Sequence, residues 1–281
     1  MTRRFSFLIV AVGLLAFGSG ALARSYTPNL GAFYQKDATG NWFVDQTAFK
    51  RYAGELGVAM APKFLGPAST LWSMGFEVSF DLCLTDVNLN NYYWKGNPAT
   101  PSPGAAQDPG SLLMTNQIRL RKGLPYSLQV GGVITHLYQS DLWGIGLELG
   151  WALHEGFRWF PDVAFTGSIN TILGSGDLAM LEVGAAAVLS KSFSVAGLFT
   201  ITPFAGYNMV FVNASSHVTG TYVDAGGATQ ELRPFVIGQE NVFRHRAIVG
   251  LNFVVTYVTF GTEVGIAPGQ RSYAFKLGTA F

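Results

Sequence analysis

The chain has 281 residues and a formal net charge of +1, and only 12% of its residues are charged whereas 49% are hydrophobic. A soluble domain typically has about twice that share of charge. The near-neutral balance gives no electrostatic surface for nucleic acid, and abundant aromatics with sparse charge argue against disorder. Cys83 is the only cysteine, which excludes an intrachain disulfide and a multi-cysteine metal cluster.

The N-terminus has the pattern of a secretory signal peptide. Arg3 and Arg4 precede an apolar run over residues 5–17, and Ala21 and Ala23 form an A-x-A cleavage pattern. Roughly 13 apolar residues are fewer than the about 20 that a membrane-spanning helix needs. The sequence therefore predicts a signal peptide at 1–23, removed after Ala23, with a retained N-terminal anchor as the alternative.

Residues 24–73 lack a clear strand pattern. Residues 46–54 can form a short amphipathic helix, and residues 57–65 can form a strand or a plug segment. We interpret 24–73 as an N-terminal segment that lies in the periplasm or plugs the barrel from below. The remaining residues, 74–281, are predicted to form an outer-membrane β-barrel.

From residue 75 onward, apolar and small residues alternate. In 143–154 one face carries only apolar side chains, with a tryptophan near each end, and the other is mostly glycine with single polar residues; the apolar face comprises Trp143, Ile145, Leu147, Leu149, Trp151 and Leu153. Apolar-outward strands flanked by aromatic residues are typical of membrane barrels. Backbone amides find no partner in hydrocarbon, so such strands must close into a ring.

Ten segments have this pattern and predict an all-β fold, a transmembrane antiparallel up-and-down barrel of ten strands. Their approximate bounds are 75–86, 113–121, 126–138, 142–153, 159–170, 177–189, 194–208, 243–253, 256–266 and 271–281. A hidden pair of strands near 27–64 would give twelve. The two long connections, 87–112 and 209–242, fall on the same side, opposite the C-terminus, as expected for extracellular loops.

Within the first long loop, residues 90–95 are rich in asparagine, tyrosine and tryptophan. This composition suits an adaptable contact surface. The alternative interpretation is an aromatic anchor at the membrane interface joined to a polar loop.

The last strand ends on a bare phenylalanine, and its alternating apolar residues are Tyr273, Phe275, Leu277 and Phe281. This pattern resembles the C-terminal signal of Gram-negative outer-membrane β-barrels. The resemblance implies location in the cell outer membrane, contact with outer-membrane lipid, and recognition of the last strand by the barrel-assembly machinery during biogenesis.

Charged residues recur at the positions of the predicted strands that face the lumen. They are Glu77, Asp81, Arg119, Arg121, Glu148, His154, Asp162, Glu182, Arg246, Glu263 and Lys276. Closure of the sheet brings the last strand beside the first, so Lys276 can meet Glu77 or Asp81 across the seam. These charges can line a conduction pathway, or they can be paired ions in a barrel filled by side chains.

No catalytic or metal pattern emerges. Outer-membrane lipases and deacylases resemble one another in an H-x-S pair, and outer-membrane aspartyl-type proteases in a D-x-H pair; neither pair occurs in this chain. We predict no catalytic residues, no metal and no cofactor. The predicted function is a structural or docking component of the envelope that binds envelope proteins, with a porin-like channel for small solutes as the alternative and a hydrolase as a weaker one.

Overall fold

The computed structural model describes residues 26, 28, 30–36, 38–40, 42–95, 110–195, 198–216, 221–223, 229–231 and 237–281. The predicted signal peptide lies outside these residues. The N-terminal elements are a 3₁₀ turn at Leu30–Phe33, strands β1 (Tyr34–Lys36) and β2 (Trp42–Val44), and helix α1 (Gln46–Met60). No helix of the described residues is long and apolar enough to span a membrane.

The rest of the described chain is mostly strand. The elements are β3 (Phe76–Asp86), α2 (Tyr92–Lys95), β4 (Leu112–Leu124), β5 (Leu128–Leu137), β6 (Trp143–His154), β7 (Asp162–Leu173), β8 (Leu178–Ser190), β9 (Phe193–Val195), β10 (Phe199–Ser216), β11 (Thr221–Val223), β12 (Thr229–Glu231), β13 (Glu240–Val255), β14 (Val258–Ala267) and β15 (Gln270–Ala280).

Ten of these strands form one closed antiparallel sheet. Its order is β13-β14-β15-β3-β4-β5-β6-β7-β8-β10, and pairing of β10 with β13 completes the ring. The predicted ten-strand barrel is therefore confirmed. The twelve-strand alternative fails for the described residues, because β1 and β2 pair only with each other and residues 57–60 belong to α1.

The alternation along each strand separates two surfaces. In β6, exposed and buried residues alternate without interruption up to Leu153, and the apolar side chains are the exposed ones. Because the barrel is closed, this exposed apolar face points outward and the small or polar face points into the lumen. Lipid can solvate the outer face, whereas water would not favour so much exposed apolar surface.

The seam between the first and last strands is fully paired. β15 pairs with β3 from Ser272↔Thr85 to Ala280↔Glu77. Phe281 continues this ladder, since its amide donates to the Phe76 carbonyl at 2.9 Å and its carbonyl accepts from the Phe76 amide at 2.7 Å. The terminal phenylalanine thus takes part in closing the ring.

The two ends of the barrel differ. The C-terminal end carries Phe281 and the turns at 125–127 and 256–257, whereas the long-loop end carries the connections 87–111 and 217–239. Both long connections therefore leave the same end of the barrel, as predicted. Helix α1 and its surroundings lie at the long-loop end, and residues 61–71, which we call the thread, run through the lumen to the C-terminal end.

Candidate functional site

The lumen is occupied by the chain's own N-terminal part. Near the long-loop end it contains helix α1. The N-cap of this helix is Asp45, whose carboxylate accepts from the Ala48 amide at 2.9 Å. The predicted helix at 46–54 is confirmed, but it extends six residues further. Its apolar face is buried, including Phe49 and Leu56, both fully inaccessible.

Helix α1 approaches the barrel wall closely on one side. A Cβ atom on Gly57 would lie 2.4 Å from a methyl group of Val212 in β10. At the N-terminal end of the helix, the side-chain amide of Gln46 donates to the Glu240 carboxylate at 2.8 Å. Absence of a side chain at Gly57 is therefore what allows the helix to pack directly on the wall.

Helix α2 covers α1 from the first long loop. The Tyr93 hydroxyl and the Trp94 indole both donate to the Glu55 carboxylate of α1, at 2.9 Å and 2.5 Å. Burial, together with the negative charge of Glu55, raises the pKa of Tyr93, so its hydroxyl stays protonated and able to donate. We call the 3₁₀ turn, α1 and α2 together the cap.

Two aromatic side chains of the loop at 90–95 thus pack inward. Tyr93 and Trp94 are buried, and the Tyr93 ring lies 5.9 Å from that of Tyr52 in α1. Neither of these two side chains is a membrane-interface anchor, which corrects that alternative for them. The apolar partners in α1 explain why: they offer a packed site that the loop sequence alone does not reveal.

Below the cap, the thread is an extended, irregular segment. Pro62 and Pro67 lack backbone N–H groups and disfavour helix and ladder pairing, and both reduce the number of donors that the lumen must satisfy. The thread leaves the lumen beside Gly123, where a Cβ atom would lie 2.1 Å from the Trp72 carbonyl oxygen. Of the two alternatives for residues 57–65, a strand or a plug segment, the strand is not formed.

Side chains of the barrel wall bind the thread mainly through its backbone. Three arginines donate to its carbonyls, and four side-chain oxygens accept from its amides. The pairs are Arg246 with Pro62 O (3.5 Å), Arg119 with Lys63 O (2.6 Å), Arg121 with Phe64 O (2.8 Å), Leu65 N with Glu263 (2.8 Å), Ala68 N with Ser190 (2.9 Å), Thr70 N with Glu155 (2.7 Å) and Leu71 N with Gln129 (3.3 Å).

Arg119 and Arg121 also belong to an ionic network in the lumen. Among the described residues, three acids and three bases of this network make five ion pairs: Arg119 with Asp81 (2.9 Å) and Glu148 (3.3 Å), Arg121 with Glu77 (3.7 Å) and Glu148 (3.4 Å), and Lys276 with Glu77 (3.2 Å). The Lys276–Glu77 pair is the seam contact expected from the sequence. Each member has at least one partner of opposite charge, which offsets part of the cost of burying it.

The other predicted lumen charges lie outside this network. Glu182 accepts from Asn170 at 2.8 Å, and Arg246 and Glu263 contact the thread. Asp162 accepts from the Gly156 amide and so closes a turn at the C-terminal end. His154 follows a β-bulge and stacks on Phe157 at 4.1 Å, at the rim rather than among the paired charges.

Little space remains beside the thread in this region. The cavity lined by Phe64, Ala68, Thr70 and Arg121 has a volume of ≈ 20 Å³, about what one water molecule requires. Above it, the Lys63 ammonium donates to the carbonyls of Val58, Ala59 and Ala61 at the end of α1. A cation at this position also complements the negative end of the helix dipole.

Four residues that hold the thread were not among the predicted site residues. Gln129 and Ser190 are short polar side chains that face the lumen, Glu155 follows β6, and Lys63 belongs to the thread itself. The first two lie on barrel strands among small residues. A polar side chain at a position that faces the lumen could therefore have identified them from the sequence. Glu155 and Lys63 have no comparable sequence signal.

Three residues of the predicted assembly signal, Tyr273, Phe275 and Leu277, lie on the outer face of β15, and Phe281 follows directly after that strand. Tyr273, Phe275 and Phe281 are exposed on the outer surface, and Leu277 is half-buried. Phe281 also stacks on Phe76, with ring centroids 6.2 Å apart. Among the described residues, no group of three or more histidine, cysteine or acidic side chains is arranged to hold a metal ion.

No family model and no curated protein matches this chain. Similar solved structures are outer-membrane proteins. A KdgM porin solved with disordered oligogalacturonate is 7% identical, with 73% of this chain and 99% of that chain covered and a TM-score of 0.34. Ail of Yersinia pestis is 10% identical (74% and 99% covered, TM-score 0.26). Omp33 of Acinetobacter baumannii is 10% identical (74% and 98% covered, TM-score 0.31).

TM-scores at this level support no inference about this chain. The barrel assignment rests instead on its own closed ladder of ten antiparallel strands.

Proposed function

We propose that this protein is an outer-membrane β-barrel without a catalytic site whose lumen is closed by its own N-terminal segment, and that it serves as a structural or docking component of the cell envelope. The outward apolar face, the closed ladder and the C-terminal aromatic pattern support insertion into the outer membrane. Lipid and the barrel-assembly machinery are its expected partners, and the cap and long loops are the surfaces available to envelope proteins.

The observation that carries this proposal is the binding of the thread by the wall. Seven barrel side chains contact main-chain groups of residues 62–71, and the cavity beside the thread has room for about one water molecule. A solute would have to displace these contacts to pass. The ionic network therefore acts as an anchor for the thread in this proposal, not as a conduction pathway.

Single-channel recording in a planar bilayer tests the proposal. The full-length mature protein is expected to insert without steady openings. Heat-modifiable gel mobility of the same preparation provides the control for folding, since an intact barrel migrates differently from its boiled form. Steady openings of ordinary porin size would overturn the closed-lumen proposal and favour the small-solute channel.

A further inference from the structure

The cap lies at the opposite end of the barrel from the start of β3. The Tyr26 amide donates to the Gln139 carbonyl at 3.2 Å, in the turn after β5, and its hydroxyl donates to the Gly110 carbonyl at 3.0 Å, just before β4. Both contacts are at the long-loop end. The N-terminal elements are therefore held where the long extracellular-type loops emerge.

The thread connects this end to the other. Thr70 contacts Glu155, which follows β6 at the C-terminal end, and the Gly123 amide donates to the Gly75 carbonyl at 3.0 Å immediately before β3 begins. Eleven extended residues reach at most about 36–40 Å, which exceeds the about 30 Å hydrocarbon thickness of a bilayer. The thread is long enough to cross a membrane by itself.

We propose that the N-terminal segment crosses the membrane through the lumen of its own barrel, so that the mature N-terminus and the cap are displayed on the outer face of the cell. The inference rests on the proposed outer-membrane location. It also assigns the lumen a ligand class: an extended polypeptide main chain.

The chemistry of the wall fits this ligand. Arginines of the wall donate to carbonyls of the thread, and carboxylate, amide and hydroxyl oxygens of the wall accept from its backbone amides. The described contacts therefore recognise the main chain of the thread more than its side chains. The closed ladder encloses the thread on all sides. In this proposal the N-terminal segment therefore passes through the ring as an extended chain while the barrel forms.

Site-specific labelling tests the crossing. Single cysteines are introduced in a Cys83→Ala background at Ala38, an exposed residue between β1 and β2, at Asp177 in an exposed turn of the long-loop end, and at Tyr126 in an exposed turn of the C-terminal end. Intact cells are treated with a membrane-impermeant maleimide, and a second sample is treated after the outer membrane has been permeabilised.

Ala38→Cys and Asp177→Cys are expected to react in intact cells, and Tyr126→Cys only after permeabilisation. If Ala38→Cys behaves like Tyr126→Cys while Asp177→Cys reacts, the crossing is overturned and the barrel orientation stands. If Asp177→Cys is protected in intact cells and Tyr126→Cys is not, the orientation itself is wrong and the inference falls with it. Thr47→Cys, on the exposed side of α1, replaces Ala38→Cys if that variant does not fold.

Discussion

The two halves of the lumen are filled by the same N-terminal segment in different ways. Near the long-loop end, α1 inserts apolar side chains such as Phe49 and Leu56 among the side chains of the cap and wall. Near the C-terminal end, the thread is held through its carbonyls and amides by charged and polar side chains. Side-chain packing fixes which residues fit, whereas main-chain binding fixes only the path of the chain.

The largest change in the free energy of unfolding should come from a substitution in the ionic network near the thread. Arg119 is fully buried and contacts Asp81, Glu148 and the Lys63 carbonyl. Arg119→Met leaves these groups without that partner, and we expect a loss of about 3–5 kcal/mol in the free energy of unfolding. Urea unfolding of the barrel in lipid vesicles, followed by heat-modifiable gel mobility, measures it.

The matched control for this experiment is Arg271→Met, because Arg271 is exposed. It should change the free energy of unfolding by no more than about 0.5 kcal/mol. Equal unfolding midpoints for both variants and the unchanged protein would show that the network does not anchor the lumen.

A core substitution in the cap probes the packed half. Phe49→Ala removes a fully buried ring, and we expect it to weaken docking of α1 by about 3 kcal/mol. Trypsin cleavage after Lys50 or Arg51 requires local opening of the helix and should become faster. Phe43→Ala, at a half-exposed position in β2, should leave the cleavage rate nearly unchanged; equal acceleration by both variants would contradict tight packing of Phe49.

A smaller loss of stability, which a second substitution should relieve, is expected at the contact of α1 with the wall. Gly57→Ala places a methyl group against Val212, and overpacking of this kind costs about 1–3 kcal/mol. Adding Val212→Ala makes room, so the double variant should be more stable than additivity predicts. Gly176→Ala, where nothing lies within 4 Å of the added Cβ, serves as the control; strictly additive effects would place α1 away from β10.

The smallest expected effect is at the contact between α1 and α2. Glu55→Gln keeps the shape of the side chain but removes the charge that strengthens its bonds with Tyr93 and Trp94. We expect a loss of about 1 kcal/mol, measured as faster tryptic cleavage in α1. Asp177→Asn, in an exposed turn, should have no effect, and an unchanged rate in Glu55→Gln would show that α2 is held by its rings alone.

The barrel could be predicted from the sequence because lipid-facing strands impose a strict two-residue period. For this reason the predicted strands at 142–153 and 271–281 agree closely with β6 (Trp143–His154) and β15 (Gln270–Ala280). The placement of both long loops at the end opposite the C-terminus also follows from the strand count, because successive connections of an up-and-down barrel alternate between its two ends. The Lys276–Glu77 contact was predictable because ring closure makes the first and last strands neighbours.

The position of the N-terminal segment could not be predicted in the same way. Residues 61–71 are bound through their own main-chain groups, and such contacts leave no periodic side-chain pattern. Glu155 illustrates the same difficulty, since it follows a strand and binds Thr70 in a segment 85 residues away. The inward charges were visible in the sequence, but their partner, a polypeptide backbone, was not.

Hydrogen exchange of the thread's own amides is the decisive test of whether wall side chains hold this segment inside the lumen. In the full-length barrel reconstituted in lipid, the amides of Leu65, Ala68, Thr70 and Leu71 should exchange as slowly as those of the barrel strands, because wall side chains bind each of them in an enclosed lumen. Exchange as fast as that of the exposed residues 38–40 would contradict a lumen filled and bound by this segment.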